Sequence, residues 1–175
     1  MDYVGQIIEG LKYALPAAVT GYTTYYFLQS FYKNEEKKQL IKARADLTKH
    51  AIPIRLQAHE RLALFLERIS PVKLTQQISP GSDDKHLYEM ALIYRISEEF
   101  EHNLTQQIYV SGKCWEMVST SKNATMLYIK QVAEDPNVKT AHDLQKALIE
   151  RSSKEEVPTN VGLSFIRSEV QELLR

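Results

Sequence analysis

The chain has 175 residues, with 22 Lys and Arg against 22 Asp and Glu, so its formal net charge is zero. That balance excludes a dedicated nucleic-acid binder, which needs a basic face to neutralise phosphates, and the length allows one compact domain plus a short appendage. Cys114 is the single cysteine, which leaves no internal disulfide and no cysteine-based zinc cluster, and points to a reducing compartment.

The first stretch that stands apart is Tyr13 to Tyr32, YALPAAVTGYTTYYFLQSFY, which carries no charged residue. A helix of this length reaches the roughly 30 Å of a hydrocarbon core, and its terminal tyrosines suit headgroup level. A signal peptide would open on basic residues, whereas this chain opens Met1-Asp2 and carries Glu9 before Lys12. An interfacial helix would show a charged face along its whole length, and this stretch shows only Thr20, Thr23, Thr24, Gln29 and Ser30. The expectation is a transmembrane helix. Gly10, Ala14, Ala17 and Gly21 fall on one stripe of it, where small side chains let a second helix approach closely in lipid.

Lys12 alone precedes the stretch, while Lys33, Lys37, Lys38, Lys42, Arg44 and Lys49 follow it. By the positive-inside rule the N-terminus lies outside and the rest of the chain is cytoplasmic, with the basic residues close to lipid. Asn103 and Asn123 head glycosylation sequons, but on a cytoplasmic face these are chance matches.

Residues 33–52 hold good helix formers and few apolar positions, so the helix is expected to continue as a solvated stalk. Pro53 should break or kink it. In the next segment Leu62, Phe65, Leu66 and Ile69 repeat at three and four, the clearest amphipathic pattern in the chain, and Ser70-Pro71 should end it. The turn Ser79–Asp84 precedes a helix from about Lys85 to His102, with Leu87, Met90, Ala91, Tyr94 and Phe100 expected inward. Ser111 can cap a helix that runs through Trp115, Val118, Met126, Leu127, Ile129 and Val132 to Asp135-Pro136. Thr140 and Asp143 have capping-box spacing and open another helix. After Val157-Pro158, Phe165, Ile166, Val170 and Leu173 define the last one. No alternating strand pattern is present, so the fold class is all-α: residues 1–32 a segment with a transmembrane helix, 33–52 a stalk, and 53–175 a cytoplasmic bundle of about five helices.

The strings IRLQAHERLALFLERISP and EFEHNLTQQIYVS, behind LPAAVTGYTTYYF, resemble an uncharacterised family of short, single-pass bacterial inner-membrane proteins over almost the whole chain. The resemblance implies an anchor followed by helices in a bacterial inner membrane, and no active site. An aromatic residue often stands in that family where this chain has His59, which speaks against a chemical role for this histidine.

The residues themselves offer few chemical motifs. Glu99 and His102 have the Glu-x-x-His spacing of di-metal carboxylate bundles, but such a site needs a second copy and further glutamates. His59 is the nearest candidate for a third ligand, which makes a membrane-tethered di-metal enzyme the alternative reading. The plainer reading of Arg55, His59, Arg61, Glu99 and His102 is a polar network between helices that fixes packing. Cys114 lies in the first turn of a helix, where a dipole lowers a thiol pKa, yet no partnered base is recognisable. Gly112 and Gly162 stand alone, so no phosphate loop exists. No catalytic residue, metal or cofactor is assigned. The expected function is that of a non-enzymatic membrane protein whose helical domain binds another protein or a second copy of itself.

Overall fold

The structure is a computed structural model that describes the backbone of residues 3–175; the side chains of residues 1–11, 13–15, 44 and 48 lie outside the described set. Among the described residues there are six α-helices, one 3-10 turn and no strand, so the chain is all-α. It divides into two units, Met1–His50 and Ala51–Arg175.

Helix α1 runs from Tyr3 to Arg68 and supplies the described part of the first unit. Ala17 and Gly21 are exposed, and a methyl group added at Gly21 would meet nothing; the burial of Gly10 and Ala14, the other half of the expected stripe, falls outside the described set. Among the described residues no helix is long and apolar enough to cross a membrane. For the Tyr13–Tyr32 stretch the shortfall is in apolarity, because threonine, glutamine, serine and five tyrosines dilute its aliphatic content. The expected transmembrane helix is therefore not recovered. Thr20 and Thr23 donate their hydroxyls to the carbonyls of Pro16 and Val19, at 2.7 and 2.9 Å. Lys33, Lys37, Lys38 and Lys42 are helical and exposed, as a solvated face requires; the side chain of Arg44 lies outside the described set.

Pro53 does not end α1, which continues to Arg68. An interior proline forfeits one backbone donor and strains its turn, but the burial that follows outweighs that loss. Leu62, Phe65, Leu66 and Ile69 are all buried, as their spacing predicts, each contributing about 1.5–3 kcal/mol of apolar burial. Ser70-Pro71 is not a terminus alone: it begins helix α2, Pro71–Gln77, because proline at the first position is already set for helical φ and Leu74 is buried.

Helix α3, Lys85–Glu101, is capped by Asp84, whose side chain accepts from the His86 and Leu87 N–H groups. It turns a different face inward from the one expected. Tyr88, Leu92, Ile96 and Glu99 are buried, while Leu87, Met90 and Tyr94 are 58, 66 and 70% exposed. Ala91 is exposed with them, and Phe100 alone of the expected set packs against the core. The helix has two apolar stripes about 100° apart, so periodicity alone leaves the choice open. Polar anchors decide it: Tyr88 donates its hydroxyl to the Ile78 carbonyl at 2.8 Å, and Glu99 pairs with arginines.

A 3-10 turn over Leu104–Ile108 leads to α4, Gly112–Ala133, which Ser111 caps as expected. Helix α5, Ala141–Lys154, opens on the Thr140–Asp143 capping box, and α6, Pro158–Leu173, starts on its own proline. Helix α6 lies against α4 at Gly162, where an added Cβ would stand 2.7 Å from both Leu66 Cδ1 and Ser121 Oγ. Phe65, Phe100 and Trp115 form an aromatic row across α1, α3 and α4, with centroids 5.7 and 5.2 Å apart.

Candidate functional site

Two polar clusters interrupt the helical domain. The first joins α1, α4 and α6. His59 is buried on α1 one residue from the core position Ala58, and it meets Glu169 of α6, Nε2 to Oε1, at 3.0 Å. Its Nδ1 lies 2.6 Å from the Arg55 carbonyl. A carbonyl only accepts, so Nδ1 carries a hydrogen, and Nε2 faces the Glu169 carboxylate.

Glu169 is anchored from its other side by Ser111. The Ser111 hydroxyl donates to Oε2 at 2.6 Å and its backbone N–H to Oε1 at 3.1 Å. Burial pushes the Glu169 carboxyl up, but the Ser111 hydroxyl, His59 and the Ser111 N–H pull it further the other way, leaving it below the usual glutamate value. Cys114 sits one turn into α4, its N–H bonded to Ser111 Oγ at 3.0 Å and its side chain buried. Burial, with the Glu169 charge adding to it, pushes the thiol up to about 12. His59, Cys114 and Glu169 each place one ligand-type atom within 4.8 Å of the other two. A cleft of about 530 Å³, lined by Arg55, Ser111, Lys113, Phe165, Ser168, Glu169, Glu172 and Leu173, opens beside the cluster.

This is not a nucleophile with its base. A thiol–imidazole pair needs one ring nitrogen aimed at sulfur and the other held by an orienting group. Here both nitrogens are taken, by Arg55 and Glu169, and the thiol is protonated.

The second cluster lies between α1 and α3. Glu99 is 5% exposed and accepts from Arg68 at 3.3 Å and Arg95 at 3.1 Å, while Arg95 also reaches Glu98 at 2.7 Å. Arg61, His102 and Asn103 line the same cleft of about 470 Å³. The five residues expected to share one network are thus divided: Arg55 and His59 belong to the first cluster, and Arg61, Glu99 and His102 to the second. Glu99, His102 and His59 do not converge on a metal. Both Glu99 oxygens are engaged by arginines, and His102 is exposed beyond the end of α3.

Sequence reasoning missed Glu169, Arg68 and Arg95. Ser111 was legible as a cap and Cys114 as a first-turn residue, but Glu169 stands 110 residues from His59 in a helix legible only by its apolar positions.

The same residues that build these clusters fall within a single family match. The chain belongs to the family of unknown function DUF7935. The match covers residues 5–173 and thus all six helices in nearly their full length. No curated protein and no solved structure matches it.

Proposed function

We propose that this DUF7935 protein is a non-enzymatic, single-pass membrane protein whose helical domain, residues 53–175, is a docking module for another protein or a second copy of the chain. The observation that carries the docking part is the exposed stripe Leu87, Met90, Ala91 and Tyr94 on α3. These positions recur at three, four and seven, the pattern by which one helix receives the apolar face of another. A solvent-facing apolar row on a helix already buried along an adjacent face supports a partner surface.

The membrane part rests on the absence of charge between Tyr13 and Tyr32 and on the satisfied threonine hydroxyls, since Thr20 and Thr23 bond back to carbonyls in their own helix. Hydroxyls paired in this way cost less to bury in lipid. The basic excess from Lys33 to Lys49 supports an N-terminus outside and a cytoplasmic helical domain at a bacterial inner membrane.

Crosslinking in native membranes from Met90, followed by purification in mild detergent, tests the docking reading. The expected result is a crosslinked species that the Met90→Asp/Tyr94→Asp variant loses while keeping its helical content. Recovery of a lone monomer from both proteins would overturn it. Carbonate-resistant sedimentation with membranes tests the anchor; full-length chain left in the supernatant would end that part.

A further inference from the structure

We propose that His59, Cys114 and Glu169 form a site for one zinc-type divalent cation that ties α1, α4 and α6 together.

The donor set is one imidazole, one sulfur and one carboxylate, the combination that suits Zn²⁺. Tetrahedral zinc places such atoms about 3.4–3.6 Å from one another. Here His59 Nε2 and Glu169 Oε1 are 3.0 Å apart and all three donors lie within 4.8 Å, so side-chain movements of about an ångström close the site.

The supporting contacts are already those of a ligating set. A metal-bound histidine donates its remaining N–H to a carbonyl or carboxylate, which fixes the ring; His59 Nδ1 does so to Arg55 O at 2.6 Å. Glu169 is oriented by the Ser111 hydroxyl and N–H. Cys114 is buried in the first turn of α4, its backbone fixed by the Ser111 cap and its sulfur within reach of the other two donors.

The placement is the strongest argument: three donors from three different helices lie within 4.8 Å of one another, and His59 and Cys114 are both buried. On binding, any proton on His59 Nε2 and the S–H proton leave to solvent, and Zn²⁺ faces a neutral imidazole, a thiolate and a carboxylate, whose two negative charges balance its own. Glu169 and Ser111 also line the cleft that admits solvent, so a fourth position can be filled from that side.

The test uses the purified full-length chain, stripped of metal. Titration with Zn²⁺ against a chromogenic chelator should give one ion per chain, and Co²⁺ should give tetrahedral ligand-field bands with a sulfur-to-cobalt charge-transfer band. Cys114→Ala should abolish that band. Ser111→Ala, which keeps all three donors, should lower affinity about 10–100-fold. The wild-type cobalt spectrum decides the matter even where Cys114→Ala fails to fold, because the band requires thiolate ligation. Absence of the band in the wild type, or zinc bound as tightly by folded Cys114→Ala, would overturn the site.

Discussion

The two polar clusters of the helical domain both pair a basic side chain with a carboxylate and reach opposite results. Around Glu169 every donor and acceptor is assigned: Ser111 holds one side, His59 the other, and Arg55 O holds the histidine. Around Glu99 the carboxylate is buried but its arginines are not, since the Arg68 and Arg95 side chains are 58 and 40% exposed. The difference teaches where an ion pair specifies structure. A pair whose basic member sits in water is screened and replaceable, whereas a pair whose basic member is buried, as His59 is at 1% exposure, leaves an uncompensated carboxylate when that member is removed.

The largest expected effect follows directly. His59→Leu keeps the volume on α1 and removes the partner of Glu169, and it should cost about 2–4 kcal/mol in chemical denaturation of the full chain. A loss no greater than that of an arginine from the second cluster would erase the distinction between the two.

Helix α6 brings Glu169 to the cluster, and its packing separates docking from pairing. Gly162→Ala puts a methyl group 2.7 Å from Leu66 Cδ1 and Ser121 Oγ. Overpacking of this kind costs about 1–3 kcal/mol, from which the better helix propensity of alanine subtracts up to about 1. A net loss of stability, measured by the same denaturation, would show that close approach of α6 is required in addition to its carboxylate. A gain would show that the pairing alone positions the helix.

Much of this was legible in the sequence, and the limits are physical. Leu62, Phe65, Leu66 and Ile69 repeat on one face with no competing stripe, and all are buried. Ser111, Thr140 and Asp143 act on backbone groups within a turn of themselves, so local spacing is enough to find them. Helix α3 has two apolar stripes, and the choice between them is made by Ile78 O and Arg68, which no local window contains. Pro53 and Pro71 show the same limit: a proline marks a local cost, while burial elsewhere decides whether a helix runs through it or starts at it. The Cys114–Glu169 approach depends on the packing of α4 against α6 and has no local signature.

In the second cluster a smaller effect is expected. Arg68→Ala removes a contact of 3.3 Å to Glu99 from a side chain that is mostly in water, and Arg95 remains at 3.1 Å. The cost should be about 0.2–1 kcal/mol and should shrink further in high salt. A loss comparable to that of His59→Leu would place the Glu99 cluster among the elements that specify the fold.

Asp143 supplies a carboxylate outside both clusters, held mainly by the helix end it caps, with Lys146 adding to it. The Thr140 hydroxyl first, then the N–H groups of Thr140 and Lys139, keep its carboxyl below the usual aspartate value. Its pKa is lower folded than unfolded, so its contribution is fully present above the unfolded value and is lost as the pH falls through the folded one. The amide introduced by Asp143→Asn does not titrate. The stability gap between wild type and Asp143→Asn should therefore be constant near neutrality and narrow on acidification, a small effect read from denaturation midpoints across the acid range. A gap that stays constant into strong acid would mean that the cap does not depend on the charge of Asp143, and the acid sensitivity of the domain would then have to be sought in the carboxylates of the two clusters.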